Sequence, residues 1–461
     1  MKQEYIQTDF TENPLATEKI SKLLMSYSIP AIIAIIINAA YNIADQIFIG
    51  QGVGYLGNAA TTIIFPLLTI VMAIASLLGT GATTHSAVEL GKGNRLESEK
   101  ALNTVFVFTF GIGMVLAAVS FLGIEPILRL SGADHNTLPL AKEYGRIIVF
   151  GIPFNMLSMA LSGLARVDGN PRVSMYGMLL GAILNVVLDP LYLFVFQWGV
   201  KGAALATITS QFVSACIMVL YFTKKSNIMK LGRTALHPNM KLCLEIIKLG
   251  TSAGITQFAA FIMQIVMNNT LQYYGNQSGI TGGVAIGAMG IVMKIMMVLA
   301  AICMGLGIGA QPIIGFNYGA KNFKRVKDTY LKACLYATVS ITIGWSVCQL
   351  APTAIIRLFD SKSIEFVDFA TKCVRVYMGG IFLVGFEIIS TNYFQATKQP
   401  LKASVLSLLR QFIILIPLIL LLPAILGIDG VLYAGLIADI SSGVIIAIFI
   451  VPEMRKLSEK F

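Results

Sequence analysis

Two acidic residues lie within long apolar stretches in the N-terminal half of this sequence. Asp45 falls near the end of the stretch 23–50, and Asp189 lies in the second half of the stretch 173–197. An ionisable side chain inside a bilayer costs at least about 2.5–3.5 kcal/mol on insertion scales, so its presence there indicates a function. Carboxyl groups in such a setting can hold a proton or bind a small cation.

Two neutral polar residues accompany these acids. Asn185 precedes Asp189 by four residues and shares its helical face. Thr207 lies about five residues into the stretch 202–222. At a rise of about 1.5 Å per residue, Asp45, Asp189 and Thr207 fall at similar depth. Such an oxygen-rich cluster could hold a shared proton or Na⁺ as a coupling ion. The alternative is a static polar cluster that locks helices together.

A second set of candidate residues lies in the C-terminal half. Lys294 and Asp439 fall near the middle of their apolar stretches and at similar depth, so they could form a neutral structural ion pair. Alternatively they contact substrate or a proton, and Glu387 is then the better candidate to contact a cation. Met293 could line a substrate cavity, because a methionine side chain adapts to varied apolar ligands. Core packing or lipid contact is the simpler interpretation of Met293.

The composition indicates that these residues belong to a membrane protein. The chain is 56% hydrophobic and only 12% charged, with a mean hydropathy of +0.77, whereas soluble domains carry roughly 25% charged residues. Its apolar stretches are long enough to cross a hydrocarbon core of roughly 30 Å as helices. We therefore predict an all-α polytopic membrane protein with twelve transmembrane helices. The predicted spans are 23–50, 57–82, 101–123, 143–165, 173–197, 202–222, 245–274, 283–308, 329–350, 372–395, 403–426 and 429–451.

The sequence repeats itself at a constant offset, at which Gly79-Thr80-Gly81-Ala82 recurs as Gly307-Ile308-Gly309-Ala310. The repeat predicts an N-lobe of six spans at 1–222, a cytoplasmic linker at 223–244 and a C-lobe of six spans at 245–461. Because each lobe has an even number of spans, both cross the membrane in the same sense. We expect a pseudo-two-fold axis along the membrane normal, with a cavity between the lobes, as in secondary transporters.

The distribution of basic residues predicts the orientation. Lys and Arg concentrate in the even-numbered connectors, to which we assign Arg410, and in both tails. The positive-inside rule then places both termini in the cytoplasm of a protein in the cell inner (plasma) membrane. Contact with anionic lipid headgroups accounts for the net charge of +11 without any nucleic-acid partner. The sequence has no nucleophile–base, nucleotide-binding or metal motif, so we expect no enzyme and no cofactor.

Several short motifs stand out in addition to the six-span repeat. They are Asp45, Asn185-x-x-x-Asp189-Pro190, Gly199-Val200-Lys201-Gly202-Ala203-Ala204, Phe394-Gln395-Ala396 and Leu409-Arg410-Gln411. Together they resemble the MepA-like bacterial branch of the multidrug and toxic compound extrusion (MATE) family. The resemblance implies antiport of amphipathic, often cationic drugs or toxins against H⁺ or Na⁺, by a V-shaped pair of six-helix lobes. It also implies a coupling site in the N-lobe at Asp45, Asn185, Asp189 and Thr207. Some relatives place coupling acids in spans 7 and 10, where Glu387 is an approximate match.

Three other classes of membrane protein are compatible with parts of this pattern. A lipid-linked oligosaccharide flippase can share the architecture, but it should line its cavity with several basic residues, and Lys294 is the one clear mid-membrane base. A membrane-embedded enzyme would need paired catalytic groups in an aqueous cleft. A passive channel would not need two acids confined to one lobe. We therefore predict a monomeric, ion-coupled multidrug antiporter whose partners are small amphipathic compounds and the lipid bilayer.

Overall fold

The computed structural model describes residues 14–133, 135, 137–232, 239–280, 282–357 and 364–459. Their regular secondary structure is helical, and no strand occurs among them. Twelve helices of 25 to 38 residues are long and apolar enough to cross a membrane, which confirms the predicted fold class and number of spans. Spans 1 to 12 are Ile20–Gly52, Leu56–Gly91, Arg95–Leu122, Leu138–Val167, Pro171–Val195, Gly199–Lys225, Met240–Gln277, Val284–Gly319, Phe323–Leu350, Phe366–Ala396, Pro400–Leu426 and Ile428–Ser458.

Local sequence determines where several spans begin. Spans 5 and 11 begin at Pro171 and Pro400, where the missing N–H of proline would have no helical partner in any case. Span 9 begins after Asn322, whose side chain accepts a hydrogen bond from the backbone N–H of Arg325 at 3.2 Å and so caps the helix. Three shorter helices lie outside the spans, at Pro14–Thr17, Ile124–Leu130 and Pro352–Arg357.

The helix bounds repeat with the sequence. Span 2 at Leu56–Gly91 corresponds to span 8 at Val284–Gly319, and span 3 at Arg95–Leu122 corresponds to span 9 at Phe323–Leu350. The same offset that relates Gly79 to Gly307 separates the two ends of spans 3 and 9 and the C-terminal ends of spans 2 and 8. The repeat found in the sequence is therefore also a repeat of the backbone.

Five spans contain a segment with non-α geometry, and in span 6 it is a π-helical segment at Tyr221–Lys225. Span 4 includes a 3₁₀ segment at Val149–Gly151, and span 10 includes one at Met378–Leu383. Span 5 ends in a π-helical segment at Leu191–Val195, and span 11 contains one at Leu409–Leu415. Such segments within helices are frequently found at functional sites. Here each π-helical segment lies beside or around a charged residue.

Spans 4 and 10 occupy the centres of their respective bundles. Span 4 contacts spans 2, 3, 5 and 6, and span 10 contacts spans 9, 11 and 12. A Cβ atom added at Gly113 of span 3 would lie 2.6 Å from the Cα atom of Pro153 in span 4. Real Cβ atoms essentially never approach another atom within 3.0 Å, so this backbone contact requires glycine. Close contact of this kind is typical of helices packed inside a membrane.

The chain forms two compact units whose boundaries fall within helices. The first unit includes Ile29–Gly254 and Gly315–Lys321, and the second includes Ile20–Ser28, Ile255–Ile314 and Asn322–Phe461. Spans 1, 7 and 8 therefore each contribute residues to both units. The lobe boundaries predicted from the sequence repeat stay a prediction.

Within the first unit, two glycine contacts are related by the sequence repeat. A Cβ atom at Gly91 would lie 2.8 Å from the carbonyl carbon of Phe316, and one at Gly319 would lie 2.9 Å from the carbonyl carbon of Val88. The repeat offset converts Gly91 to Gly319 and Val88 to Phe316. The two contacts are therefore reciprocal, because equivalent glycines meet equivalent partners. A two-fold axis produces contacts of this kind.

Candidate functional site

The four residues predicted to bind the coupling ion lie together in the first unit. Asn185 of span 5 places its Nδ2 atom 3.4 Å from Asp189 Oδ1 and 3.4 Å from Thr207 Oγ1 of span 6. The carboxyl groups of Asp45 in span 1 and Asp189 lie next to each other, close enough for their side chains to interact. Two adjacent carboxyl groups can share a hydrogen bond when one of them carries a proton. The arrangement is therefore suited to holding a proton.

Three oxygen atoms of this cluster have no hydrogen-bond partner. They are Asp45 Oδ1, Asn185 Oδ1 and Asp189 Oδ2, and all three are buried. Asn185 is 1% exposed and Asp189 is 0% exposed. Because the great majority of buried polar atoms are hydrogen-bonded, three free oxygen lone-pair donors at one place form a site suited to a cation or a second proton.

Two tyrosines that sequence reasoning missed complete the cluster. Tyr144 of span 4 is buried and lies beside Thr207, and it is close enough to Asp45 and Asp189 to interact with their charges. Tyr41 precedes Asp45 by one helical turn and also lies close to it. The four-residue spacing from Asp45 was a usable signal for Tyr41. Tyr144 follows Lys142 and Glu143 in a polar segment, so hydropathy alone gave no reason to select it.

Aromatic packing holds span 1 against span 5 beside the two acids. Phe48, three residues after Asp45, meets Phe194 edge-on with the ring centroids 6.4 Å apart. A Cβ atom at Gly52 would lie 3.4 Å from both Leu193 and Phe194, so the end of span 1 lies directly on the π-helical segment of span 5. This segment begins immediately after Pro190, which lacks the N–H needed to continue the α-helical ladder.

The acids of the C-terminal half form a separate group in the second unit. Arg410 of span 11 places its Nε atom 2.6 Å from Asp439 Oδ1 and 3.8 Å from Glu387 Oε2. Ser442 forms a further hydrogen bond with Glu387. The predicted ion pair of Lys294 with Asp439 is therefore wrong, because Asp439 pairs with Arg410. Lys294 instead lies on an exposed face of span 8.

The error traces to the position of Arg410, which we assigned to a basic connector. Span 11 begins at Pro400, ten residues before Arg410, so at about 1.5 Å per residue the guanidinium group lies well inside the helix. Met293 is half-buried on span 8. Among the described residues, neither Met293 nor Lys294 makes a hydrogen bond or ion pair with Arg410 or with its two partner acids.

The described residues contain no group of three or more His, Cys, Asp or Glu side chains placed to hold a metal ion. A Na⁺ ion at Asp45 and Asp189 would therefore need the amide oxygen of Asn185 and the hydroxyl of Thr207 as additional ligands. These are the hard oxygen donors that such an ion prefers. The residues present thus fit either a proton or Na⁺.

Relatives of this chain are membrane transporters. The MatE family model matches residues 30–191 and 252–421. Multidrug export protein MepA of Staphylococcus aureus (strain MSSA476) is 30% identical over 422 residues, which cover 91% of this chain and 90% of that protein. Multidrug export protein MepA of Staphylococcus haemolyticus (strain JCSC1435) is 28% identical over 440 residues, which cover 95% of this chain and 94% of that protein.

Solved structures share the fold. The outward-facing conformation of a multidrug resistance MATE family transporter of the MOP superfamily has a TM-score of 0.89 at 21% identity and covers 96% of this chain and 98% of its own. A crystal structure of MATE in complex with MaL6 has a TM-score of 0.90 at 21% identity and covers 97% and 99%. At this identity the likeness establishes the two-lobe fold, as predicted from the repeat. With the family match and the MepA relatives, it shows that the chain belongs to the multidrug and toxic compound extrusion (MATE) family.

Proposed function

We propose that this protein is a multidrug efflux antiporter that exports amphipathic, often cationic compounds in exchange for H⁺ or Na⁺. The observation that carries the proposal is the adjacent carboxyl pair of Asp45 and Asp189, with Asn185 and Thr207 beside it and three buried oxygens that have no hydrogen-bond partner. The similarity to proteins named for multidrug export supports the substrate class.

The carboxyl pair can convert ion occupancy into helix movement. With one proton, Asp45 and Asp189 attract each other through a hydrogen bond. When the proton leaves, two negative charges face each other, and at about 4 Å and an effective dielectric constant of about 20 they repel by about 4 kcal/mol. Since about 1.4 kcal/mol changes an equilibrium constant tenfold, this repulsion can shift the packing of span 1 on span 5 by nearly a thousandfold. A Na⁺ ion bound between the carboxylates would cancel the repulsion in the same way.

Span 1 has a point at which it can bend. Pro30 lies inside the helix Ile20–Gly52, two residues after Ser28, where the helix passes from the second compact unit to the first. A proline inside a helix removes one backbone hydrogen bond and is a common cause of a kink. We infer that separation of Asp45 from Asp189 bends span 1 at Pro30, and that this bending drives the exchange of ion for drug.

The remaining features of the proposal follow from orientation and composition. The basic residues of the connectors and tails support a location in the plasma membrane with both termini in the cytoplasm. The transporter acts as a monomer in the lipid bilayer without cofactor, catalytic activity or nucleic-acid partner. The flippase alternative gains no support from Arg410, because this largely buried base is paired with two acids and is not available to a pyrophosphate.

The decisive experiment measures drug efflux from loaded vesicles under a pH gradient alone or a Na⁺ gradient alone. We expect one gradient to drive efflux by the wild type, which identifies the ion. Asp45→Asn and Asp189→Asn should each abolish the response to that gradient. Asp429→Asn is the matched control, because it removes an exposed acid that pairs with Lys372 at the surface. The coupling assignment is wrong if both membrane variants transport at the wild-type rate.

A further inference from the structure

A cavity lies between spans 9, 10 and 12 in the second unit, near the start of span 9 and the end of span 12. Its volume is about 310 Å³. The three spans contact one another within that unit. The cavity, hereafter the basic cavity, shares no residue with the two charge clusters described above. It is lined by Lys327, Tyr330, Leu331, Phe386, Ile450, Val451, Met454, Arg455 and Ser458.

Two basic side chains make one part of the wall positive. Lys327 of span 9 places its Nζ atom 2.6 Å from Ser458 Oγ of span 12. Arg455 of span 12 is exposed and, among the described residues, makes no ion pair. No described residue that lines the cavity is acidic. Ammonium and guanidinium groups placed together in this way are donors suited to the oxygens of a phosphate.

The remaining wall of the basic cavity is largely apolar. The hydroxyl group of Tyr330 is already engaged with Ser390 of span 10 at 2.9 Å. A small hydrated anion gains nothing from an apolar wall, whereas a phosphate that carries hydrocarbon chains can bury them against it. The wall therefore favours an amphipathic anion. The apolar lining residues are Leu331, Phe386, Ile450, Val451 and Met454.

Helix length places the two basic residues at the membrane surface. Span 9 has 28 residues and span 12 has 31, so each exceeds a hydrocarbon core of roughly 30 Å by at least about 12 Å. Lys327 lies four residues from the start of span 9, and Arg455 lies three residues from the end of span 12. Both residues are thus within about 6 Å of a helix end. This is the depth of lipid headgroups.

Exposed apolar residues continue from the basic cavity toward the middle of the membrane. They are spaced three or four apart, so each set lies along one face of its helix. Each of these residues is 47 to 65% exposed, and apolar residues exposed on a membrane helix meet lipid acyl chains. The two sets are Leu331, Leu335 and Val339 on span 9, and Val451, Ile448 and Val444 on span 12.

The charge of the cavity disfavours other amphipathic ligands. A cationic drug would be repelled by Lys327 and Arg455. A zwitterionic lipid carries its own cation beside the phosphate, which reduces its attraction to these two residues. Basic pockets between transmembrane helices are a known way of recognising anionic headgroups, and each basic residue near the surface contributes to the attraction. The ligand that fits both the charge and the apolar wall is an anionic lipid.

We propose that the basic cavity binds an anionic phospholipid, whose phosphate contacts Lys327 and Arg455 and one of whose acyl chains lies along Leu331 and Val451. Because the two basic residues belong to different helices, the bound lipid joins span 9 to span 12, in addition to the bond between Lys327 and Ser458. The lipid site does not depend on the proposed transport activity. Its assignment to the cytoplasmic leaflet rests on the predicted orientation.

Photochemical labelling of the full chain in phosphatidylcholine vesicles tests the site. The probe is a phosphatidylglycerol with a photoactivatable diazirine in one acyl chain, and mass spectrometry locates the labelled peptides. We expect labels on the peptides that contain Leu331 and Val451. Added phosphatidylglycerol should displace the probe from these peptides. Added phosphatidylcholine and added glycerol 3-phosphate should not, because one lacks the net charge and the other lacks the chains.

Substitutions of the two basic residues test the role of charge. Lys327→Gln and Arg455→Gln should each weaken competition by phosphatidylglycerol about fivefold, which corresponds to the contribution of one basic residue near a membrane surface. Lys456→Gln is the matched control, because Lys456 is adjacent in sequence and exposed but does not line the cavity. It should leave both the labelling and the competition unchanged. Equal thermal unfolding in phosphatidylcholine alone shows that the variants remain folded.

Three results would overturn the proposal. Labelling that is the same in both cavity variants and in Lys456→Gln would show that Lys327 and Arg455 do not bind the headgroup. Displacement by phosphatidylcholine as effective as that by phosphatidylglycerol would indicate ordinary boundary lipid. Displacement by glycerol 3-phosphate would indicate a site for a soluble anion. A failure of drug efflux under either gradient would contradict the proposed function and leave the lipid site intact.

Discussion

The glycine contact between spans 2 and 7 leads to a prediction whose size follows from the structure. Within the first unit, a Cβ atom at Gly250 would lie 2.7 Å from the carbonyl carbon of Leu77 and closer still to its oxygen. A Cβ atom at Gly81 would lie 2.8 Å from the carbonyl carbon of Ile246. Both obstructing groups belong to the backbone, so a change of side-chain rotamer cannot relieve the clash. Gly250→Ala or Gly81→Ala must therefore separate the two helices.

Overpacking of a close contact typically costs about 1–3 kcal/mol. A free-energy change of that size alters an equilibrium constant by about 5–150-fold. We expect each substitution to lower the population ratio of packed to separated arrangements of spans 2 and 7 by this factor. Gly111 of span 3 is the matched control, because a Cβ atom there has no atom within 4 Å. Gly111→Ala should instead stabilise its helix by about 1 kcal/mol through helix propensity.

Spin labels on the two helices can measure the change. Lys92 follows span 2 and Lys248 lies in span 7, and both are exposed. Labels at cysteines placed there, in a chain without the six native cysteines, report the distance between the helices by double electron–electron resonance. We expect a longer-distance population in Gly250→Ala and Gly81→Ala. Distance distributions that coincide with those of the wild type and Gly111→Ala, in protein that remains folded, would refute the reasoning.

Three further predictions concern residues outside the two charge clusters. The Asp168 carboxylate accepts hydrogen bonds from the Tyr221 hydroxyl and from three backbone N–H groups at 227–229. Hydrogen bonds to a charged group are each worth about 1.5–3 kcal/mol. Asp168→Ala should therefore make the linker at 223–244 more sensitive to trypsin than it is in the wild type. Asn322→Ala should cost about 1 kcal/mol of stability by removing a helix cap, and Asn322→Ser should restore it in thermal unfolding. Lys142 holds the pKa of exposed Glu125 below its usual range. This acid therefore stabilises the folded protein at pH values above its unfolded pKa of about 4.3. The stabilisation is lost as the pH falls through the lower pKa of the folded state. Glu125→Gln should therefore unfold more easily than the wild type at neutral pH, and the difference should vanish at acid pH.

Helix positions were predictable from the sequence because they depend on the hydropathy and the type of the residues along each stretch. Apolar stretches located all twelve spans, and the glycine repeat marked equivalent positions in spans 2 and 8. Asp45, Asn185, Asp189 and Thr207 could be brought together in advance because helical rise converts chain position into depth. The exact recurrence of the offset in the helix bounds was not foreseen, since hydropathy does not mark where a helix leaves the membrane.

Side-chain partners were less predictable, because depth alone does not say which faces of two helices meet. Lys294 and Asp439 share a depth, but Arg410 is the residue whose side chain reaches Asp439. Arg410 was assigned to a connector with the nearby Lys398 and Lys402, although the predicted span 403–426 already included it. Tyr144 lacks a charge and follows two charged residues, so its contact with Thr207 could be found only from the packing of span 4 on span 6.

The contrast between repeated backbone geometry and divergent charge within this one chain has a physical basis. Gly91 packs on the backbone of Phe316, and its equivalent Gly319 packs on the backbone of Val88. Such a contact admits one residue type, so its sequence signature survives in both halves. A buried charge, by contrast, needs only a compensating group somewhere on a facing helix, and many positions can supply it. The two halves can therefore keep the same helix packing while one builds a carboxyl pair and the other builds an arginine-centred cluster.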